Sequence, residues 1–356
     1  MSPTRHSSHV TIAIVGTGLI GPRHADAVKA EPGAELFCFV DPNPAVETIA
    51  KQHGVQWFAS ISEMLREKGK PDGAIVCTPN ASHVAVSKEL LSAGVHVLCE
   101  KPLATDVREG ADLIEFASRQ GLKLLCGHHR RFNRYVSAAK KLLDKQALGK
   151  LVAISGLWTL HKPLEYFEAP TEWRKGAKGG PILINLIHEV DILQFLVQSQ
   201  ITRVHAERTI SQRGFEAEEG AAILFRFQNG VVGTFVLSDA VPSPHNFESG
   251  TGENPMIPKA GMDTYRFMGS EGTLSFPDMR LSTYVGAKQK SWTEQLSFSH
   301  IPVPETRVPF ELQVENFVAV IQGNAEAVCT GQDGLRAVAV CEAVKKSLES
   351  GLPVDL

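Results

Sequence analysis

The chain has 356 residues, 43% of them apolar and 21% charged, a balance that suits a globular protein with a sizeable core and leads us to expect two domains. Its formal net charge of -3, with no block of like charges, gives no footprint for nucleic acid or an anionic membrane, and no apolar run is long enough to span a bilayer. Small-molecule chemistry remains. The six cysteines lie scattered without a C-x-x-C pair, so neither a metal site nor a disulfide framework is expected. The polar start "MSPTRHSSHV" lacks an apolar signal region, and a cytoplasmic protein with a frayed N-terminus is expected.

Short apolar runs then alternate with amphipathic stretches. Strands are predicted at "VTIAIV", "ELFCFV", "GAIVC", "HVLCE" and "LKLLC", with helices between them near residues 19–30, 44–53, 61–68, 82–93 and 106–120. Parallel neighbours need such crossovers, so residues 1–127 are expected to form a doubly wound, Rossmann-type parallel sheet. After residue 127 a helix at 134–145, the strand-like "KLVAISGLWTL" and a helix at 181–197 lead into a run of strands to about 298, with "QNG" and "GSEG" as hairpin turns. Helices at 310–322 and 331–350 close the chain. Residues 128–356 are thus expected to be an α+β domain with a large, mainly antiparallel open sheet, whose closing helices have the option of packing back on the first domain. The segment 241–263, rich in Pro, Gly and Asn, fits either a functional lid or partner contact, or plain disorder.

The chemistry begins directly after the first strand. "IAIVGTGLIGPRH" sets Gly16, Gly18 and Gly21 as G-x-G-x-x-G with Leu19 and Ile20 opening a helix, so that the glycines give a tight turn, close approach to a pyrophosphate and close helix-strand packing. The helix N-terminus offers unpaired N–H groups to the phosphates. Asp41 ends the second strand about 20 residues on, where a carboxylate accepts from the adenosine ribose hydroxyls. An acid there repels a 2′-phosphate, and no Lys or Arg follows before Lys51, so NAD is favoured over NADP. The next two strand ends carry Thr78, Pro79 and Asn80 with His83 nearby, then Glu100, Lys101 and Pro102. Ligands of open α/β sheets sit at the carboxyl ends of strands, so Lys101, ordinarily a solvated strand end, becomes a functional candidate near the nicotinamide.

In the second half, "PILINLIHEVDILQFLV" is apolar nearly all round, so its few polar side chains need partners. Asn185, His188 and Asp191, three residues apart, make one polar stripe suited to a site wall. His188 also fits a satisfied core histidine. Trp173 and Arg174 fit a structural role as well as a site, with Arg174 suited to a substrate carboxylate held bidentately, whereas Tyr166 and Trp158 fit either stacking on a sugar ring or core packing.

These motifs together resemble the Gfo/Idh/MocA family of NAD(P)-dependent oxidoreductases over nearly the whole chain. The resemblance rests on the glycine motif with Asp41, "TPN" with His83, "EKP", "RRFN" at Arg130 to Asn133, "EWRKGAKGGPILINLIHEVD" and "GQDGLRAVAVCEAVKKSLESG". It implies an N-terminal Rossmann domain, a C-terminal domain with a large open sheet, and oxidation of a hydroxyl on a sugar, cyclic polyol or related compound. It places the catalytic lysine and histidine on Lys101 and His188 and suggests a homo-oligomer, dimer or tetramer. Arg131, in "RRFN", joins Asn185, Asp191, Tyr166, Trp173 and Arg174 as a substrate-binding candidate. The family's aspartate four residues before the histidine is Ile184 here, its glycine two before is Leu186, Lys178 stands at its first glycine, and Arg134 replaces its proline after "RFN". Three readings follow: a dehydrogenase for a secondary alcohol of a sugar, sugar acid or polyol; a lactol or cyclic semialdehyde dehydrogenase or NAD-recycling enzyme; and a non-catalytic NAD-binding regulator.

Overall fold

The computed structural model describes residues 9–177 and 179–356, so the expected frayed start (residues 1–8) and Lys178 lie outside the described residues. The chain forms two compact units, one of residues up to Phe132 together with Arg307–Val338, the other of Asn133–Thr306 with Ala339–Leu356.

In the first unit, strands β1 (Val10–Val15), β2 (Ala34–Val40), β3 (Gln56–Phe58), β4 (Gly73–Val76), β5 (His96–Cys99) and β6 (Leu124–Cys126) pair in parallel in the order β3-β2-β1-β4-β5-β6. The crossovers are α1 (Gly21–Ala30), α2 (Val46–His53), α3 (Ile61–Glu67), α4 (His83–Ser92) and α5 (Val107–Arg119). A parallel sheet is covered on both faces, and successive β1 residues accordingly enter opposite cores, Ile12 and Ile14 one and Ala13 and Val15 the other. The five expected strands are present. β3 is additional: it has three residues and only Phe58 is buried, too little for an apolar period to register. Ser60 and Asp106 cap α3 and α5 by accepting from the N–H groups of Glu63 and Glu109, which fixes where those helices start.

The second unit holds α6 (Arg134–Asp144), β7 (Leu151–Thr159), α7 (Ile187–Val197), β8 (Ile201–Arg208), β9 (Gly220–Phe227), β10 (Val232–Ser238), α8 (Phe247–Thr251), β11 (Tyr265–Gly269), β12 (Gly272–Phe276), β13 (Arg280–Thr283) and β14 (Ser297–His300). With β15 (Val354–Asp355) they form a nine-stranded sheet ordered β14-β13-β12-β11-β7-β10-β9-β8-β15. Only β7 and β10 pair in parallel; every other pair is antiparallel. Alternation does the sorting. On β9, Ala221, Ile223, Phe225 and Phe227 are buried while Ala222, Leu224 and Arg226 are exposed, and on β10 Phe235 and Leu237 are buried while Thr234 and Val236 are exposed. Within segment 241–263, residues 246–251 are buried and the stretches on either side are largely exposed. Asn246 caps α8 through Ser249 N, all five α8 residues are buried, and His245 Nδ1 donates to Asp263 O at 2.7 Å.

The end of the chain is shared between the units. α9 (Pro309–Ile321) belongs to the first, where Val314, Phe317 and Val318 join the core of Ile12, Ile14 and Phe39. α10 (Gly331–Ser350) is divided between the two units at Val338. Among the described residues no helix is long and apolar enough to cross a membrane.

Candidate active site

The glycine loop lies at the carboxyl end of β1, beside β4, where the strand order reverses. Gly16 has φ +92°, and a Cβ there would stand 2.6 Å from Thr78 N and 2.7 Å from Cys77 C, so any side chain would collide with the end of β4. A Cβ on Gly21 would stand 2.4 Å from Gly16 O. Gly18 is different. A Cβ there would meet nothing within 4 Å, which leaves open space over the loop. No side chain caps the start of α1, so its first N–H groups remain to receive phosphate oxygens.

A cleft of about 700 Å³ opens from this loop, walled by Gly16, Thr17, Gly18, Asp41, Pro42, Ser60, Ile61, Cys77, Thr78 and Pro79, with Val86 and Glu89 from α4. Its charged wall residues are Asp41 and Glu89; Lys, Arg and His are absent from the lining. Asp41 is held in place: its Oδ2 accepts from Thr17 N (2.8 Å), its Oδ1 from Asn43 N (2.9 Å), and its carbonyl from Trp57 Nε1 (2.8 Å). The residues fit a dinucleotide: Gly18 leaves open space over the loop, and Asp41 stands in the wall where a ribose would find an acceptor.

Other cofactor candidates support this cleft instead of lining it. Leu19, 91% exposed, and Ile20 carry the loop into α1. His83 is buried, with Nδ1 2.7 Å from Pro102 O and Nε2 2.8 Å from Thr78 O, and so ties the loop after β4 to the loop after β5. Asn80 starts a short 3₁₀ turn between Thr78 and His83. Glu100 is buried beneath the loop, its Oε1 accepting from His24 Nε2 (2.8 Å) and its Oε2 from Lys101 N (3.1 Å). Burial alone would raise its carboxyl, but the His24 hydrogen bond and the charges of His24, His129 and Lys101 outweigh that and hold it at about 2. Glu100 therefore fixes the backbone of Lys101 while the lysine side chain, half-buried, stands at the carboxyl edge of β5.

Arg131 is drawn elsewhere than onto a substrate. Its buried Nη1 donates to Val328 O (2.7 Å) and lies 3.5 Å from Asp333 Oδ2, which fastens the returning segment to the first unit. A guanidinium so engaged is a strut.

In the second unit two of the expected substrate residues, Asn185 and Tyr166, meet on one side chain. Lys162, just beyond β7 and 8% exposed, donates to Asn185 Oδ1 (2.8 Å), pairs with Asp239 Oδ2 (3.2 Å) and lies 4.7 Å from the centre of the Tyr166 ring and 5.5 Å from that of Trp158. Arg174 lies 3.8 Å over the Tyr166 ring, its Nη1 donating to Tyr166 O (3.0 Å). Burial lowers the Lys162 ammonium, helped by the nearby Arg174 charge and opposed by Asp239 and Glu248. Trp158 is fully buried and donates from Nε1 to Glu248 Oε2 (2.9 Å), whereas Trp173 is 54% exposed.

Residues 182–186 wind as a π-helix before α7 begins, so the expected single helix is two windings. Glu218 Oε1 accepts from Ile182 N (3.1 Å) at its start, and Gly180 leaves no room for a Cβ beside that carboxylate. π turns are frequent at functional sites. Asn185 lies in the π turn, and His188 (7% exposed) and Asp191 (1%) lie in the first turns of α7. Lys162 and Asp239 are the residues that sequence reasoning missed. Lys162 carried a usable signal, since it follows the end of a strand just as Lys101 does. Asp239, just past β10, had none.

All six cysteines are free; five are buried, and burial pushes the Cys38 and Cys99 thiols up to about 12. Among the described residues no group of three or more His, Cys, Asp or Glu is placed to hold a metal ion.

Comparison with known proteins accords with this geometry. Residues 10–128 match the NAD-binding Rossmann fold of an oxidoreductase family, and residues 140–356 match that family's C-terminal alpha/beta domain. The chain is 26% identical to scyllo-inositol 2-dehydrogenase (NAD(+)) of Bacillus subtilis over 98% of this chain and 96% of that protein. It is 24% identical to inositol 2-dehydrogenase of Rhizobium meliloti over 95% and 97%. The crystal structure of an oxidoreductase from Agrobacterium radiobacter in complex with NAD+, L-tartaric acid and magnesium superposes with a TM-score of 0.81 at 18% identity, covering 98% of both chains. A glycine cleft without cations, a lysine at the carboxyl edge of the same sheet and a match through both domains agree: the chain belongs to the Gfo/Idh/MocA family of NAD-dependent oxidoreductases.

Proposed function

We propose that this dehydrogenase oxidises a secondary alcohol of a sugar, sugar acid or cyclic polyol. The observation that carries the reading is the Lys162 cluster, where an ammonium, an amide and a carboxylate stand beside the rings of Tyr166 and Trp158. Alternating donors and acceptors next to aromatic faces suit a ring or chain bearing several hydroxyls. The inositol dehydrogenases among the relatives act on molecules of that kind, and the Agrobacterium protein was crystallised with L-tartaric acid.

NAD, when bound, supplies the carbon that accepts the hydride. Gly16, Gly18 and the N-terminus of α1 would hold its phosphates, Asp41 would hold its adenosine ribose, and Thr78 and Pro79 would form the wall beside it. Lys101, its backbone pinned by Glu100, donates a hydrogen bond to the substrate oxygen. His188 takes the hydroxyl proton, because an imidazole titrates near neutral pH and is the better direct base. Asn185, anchored by Lys162, orients the neighbouring hydroxyl, and Asp191 orients the imidazole. Ile184 leaves the family's usual carboxylate position without a charge, so the proton passes to His188 with no aspartate at that position.

The test is NADH absorbance during a screen of sugars, polyols and their acids. Turnover with one such class is expected, and no NADH with any of them removes the reading. We further infer a homo-oligomer. The outer face of the nine-stranded sheet exposes Leu224 (50%) and Val236 (40%), an apolar surface that a second subunit would cover. Sedimentation showing only monomer at micromolar concentration contradicts it. The free cysteines support a reducing, cytoplasmic setting.

A further inference from the structure

We propose that the substrate carries a carboxylate and that Arg174 binds it; this rests on the dehydrogenase reading and narrows it to acids. The inference comes from an account of charges in the second unit. Three cations, Lys162, Arg174 and Arg213, share the neighbourhood of three carboxylates, Asp239, Glu219 and Glu248. Asp239 is fully engaged, with Oδ1 on Arg213 and Oδ2 on Lys162. Glu219 accepts from Ser211 Oγ (2.8 Å), Gln212 N (2.8 Å) and Arg213 N (2.7 Å) and pairs with Arg213 Nε at 3.7 Å. Glu248 takes the Trp158 N–H. Arg174 is left without a carboxylate within salt-bridge distance among the described residues.

That guanidinium is nevertheless held still. The Tyr166 ring lies 3.8 Å beneath it, the Tyr166 carbonyl takes one Nη1 hydrogen, and its Nε is sealed from solvent with no acceptor. Leaving a buried donor unsatisfied costs free energy, and fixing a cation near the Lys162 ammonium adds a repulsion, smaller than the burial that chiefly lowers Lys162. A monoanion on the terminal Nη1 and Nη2 hydrogens would give this guanidinium the counter-ion it lacks and gain two charge-assisted bonds from a plane already oriented for them. A single guanidinium without a carboxylate of its own suits a monoanion better than a phosphate dianion. The remaining Lys162 N–H then serves a hydroxyl of the same molecule, because Asp239 already neutralises that ammonium.

Calorimetry on the NAD-loaded protein with matched pairs tests this: D-gluconate against D-glucitol, D-galactonate against galactitol, and D-glucuronate against D-glucose. At least one acid should bind roughly 10- to 100-fold more tightly than its neutral partner, and Arg174→Gln should bring the pair within about threefold, while Arg174→Lys restores part of the preference. Unchanged NAD affinity shows that the variants are folded. Neutral partners binding as tightly as every acid, or Arg174→Gln leaving the preference intact, overturns the proposal. Inorganic phosphate displacing the acids at lower concentration than acetate also overturns it, in favour of a phosphorylated ligand. NADH formed from neutral polyols alone defeats this proposal and leaves the dehydrogenase reading standing. Arg174-dependent acid binding without NADH from any substrate does the reverse.

Discussion

The cofactor cleft and the polar cluster of the second unit solve recognition in opposite ways. The cleft is made of backbone and small side chains, with glycines at the points of closest approach and no basic residue in its walls. The cluster is made of long charged side chains on separate segments, from Lys162 to Asp239, each held by another. A ligand with a constant phosphate and ribose frame needs only N–H groups, space and one well-placed acid. A substrate is chosen among similar polar molecules by groups left unpaired when the wrong one binds. The first design tolerates change except where a Cβ has no room. The second responds to each charge.

The largest effect should come from the two residues assigned to proton movement. Lys101→Ala and His188→Ala are each expected to lower kcat by roughly 10² to 10⁴ with NAD affinity nearly unchanged, measured by steady-state turnover and by fluorescence titration of the cofactor. Near-wild-type turnover in both would return Lys101 to the status of a solvated strand end.

The glycines then sharpen the contrast within the cleft itself. Gly16→Ala forces a Cβ against the backbone of Cys77 and Thr78 at a left-handed φ, and should cost on the order of 3 kcal/mol of stability together with cofactor binding. Gly18→Ala should leave unfolding within about 0.5 kcal/mol of the parent while weakening NAD, because its Cβ meets only the space the pyrophosphate needs. Equal melting temperatures for the two variants would remove the distinction.

Glu100 links the cleft to the pH of the medium. Its carboxyl lies at about 2 in the folded chain against an ordinary 4.5, so the folded state binds the proton less readily than the unfolded chain. That stabilisation is complete above about 4.5 and is lost as pH falls through about 2, a contribution of the order of 3 kcal/mol. Denaturant unfolding across this window should show a shallower acid loss for Glu100→Gln than for the parent, and parallel curves would show that the His24 contact contributes nothing.

The smallest expected change concerns the choice between dinucleotides. Asp41→Ala should weaken NAD roughly tenfold and NADP much less, because the carboxylate accepts ribose hydroxyls and repels a phosphate. Part of the loss will come from releasing Thr17 N. A parent protein that prefers NADP in the same titration contradicts the assignment.

Much of this was legible along the chain. The β-α alternation, the tight glycine turn and the acid ending β2 are local patterns whose period and spacing are set by the backbone. The structure carries them with boundaries shifted by one or two residues. Short strands were not legible: β3, β13 and β15 have two to four residues and are defined by what they pair with. Arg131 illustrates a different limit, since a guanidinium in a promising motif binds whichever carbonyl and carboxylate folding brings to it, here Val328 and Asp333.

By itself, then, the sequence determined that residues 10–126 form a doubly wound parallel sheet with a dinucleotide cleft, because those features depend on neighbours a few residues apart. Tertiary structure alone decided that α9 completes the first unit's core and that residues 182–186 wind as a π-helix capped by Glu218. It also decided that Lys162 gathers Asn185, Asp239 and Tyr166 while Arg174 stacks on the same ring without a counter-ion. These contacts join positions up to several hundred residues apart, and a charge or donor acquires its role only when the fold sets which partner, if any, it receives.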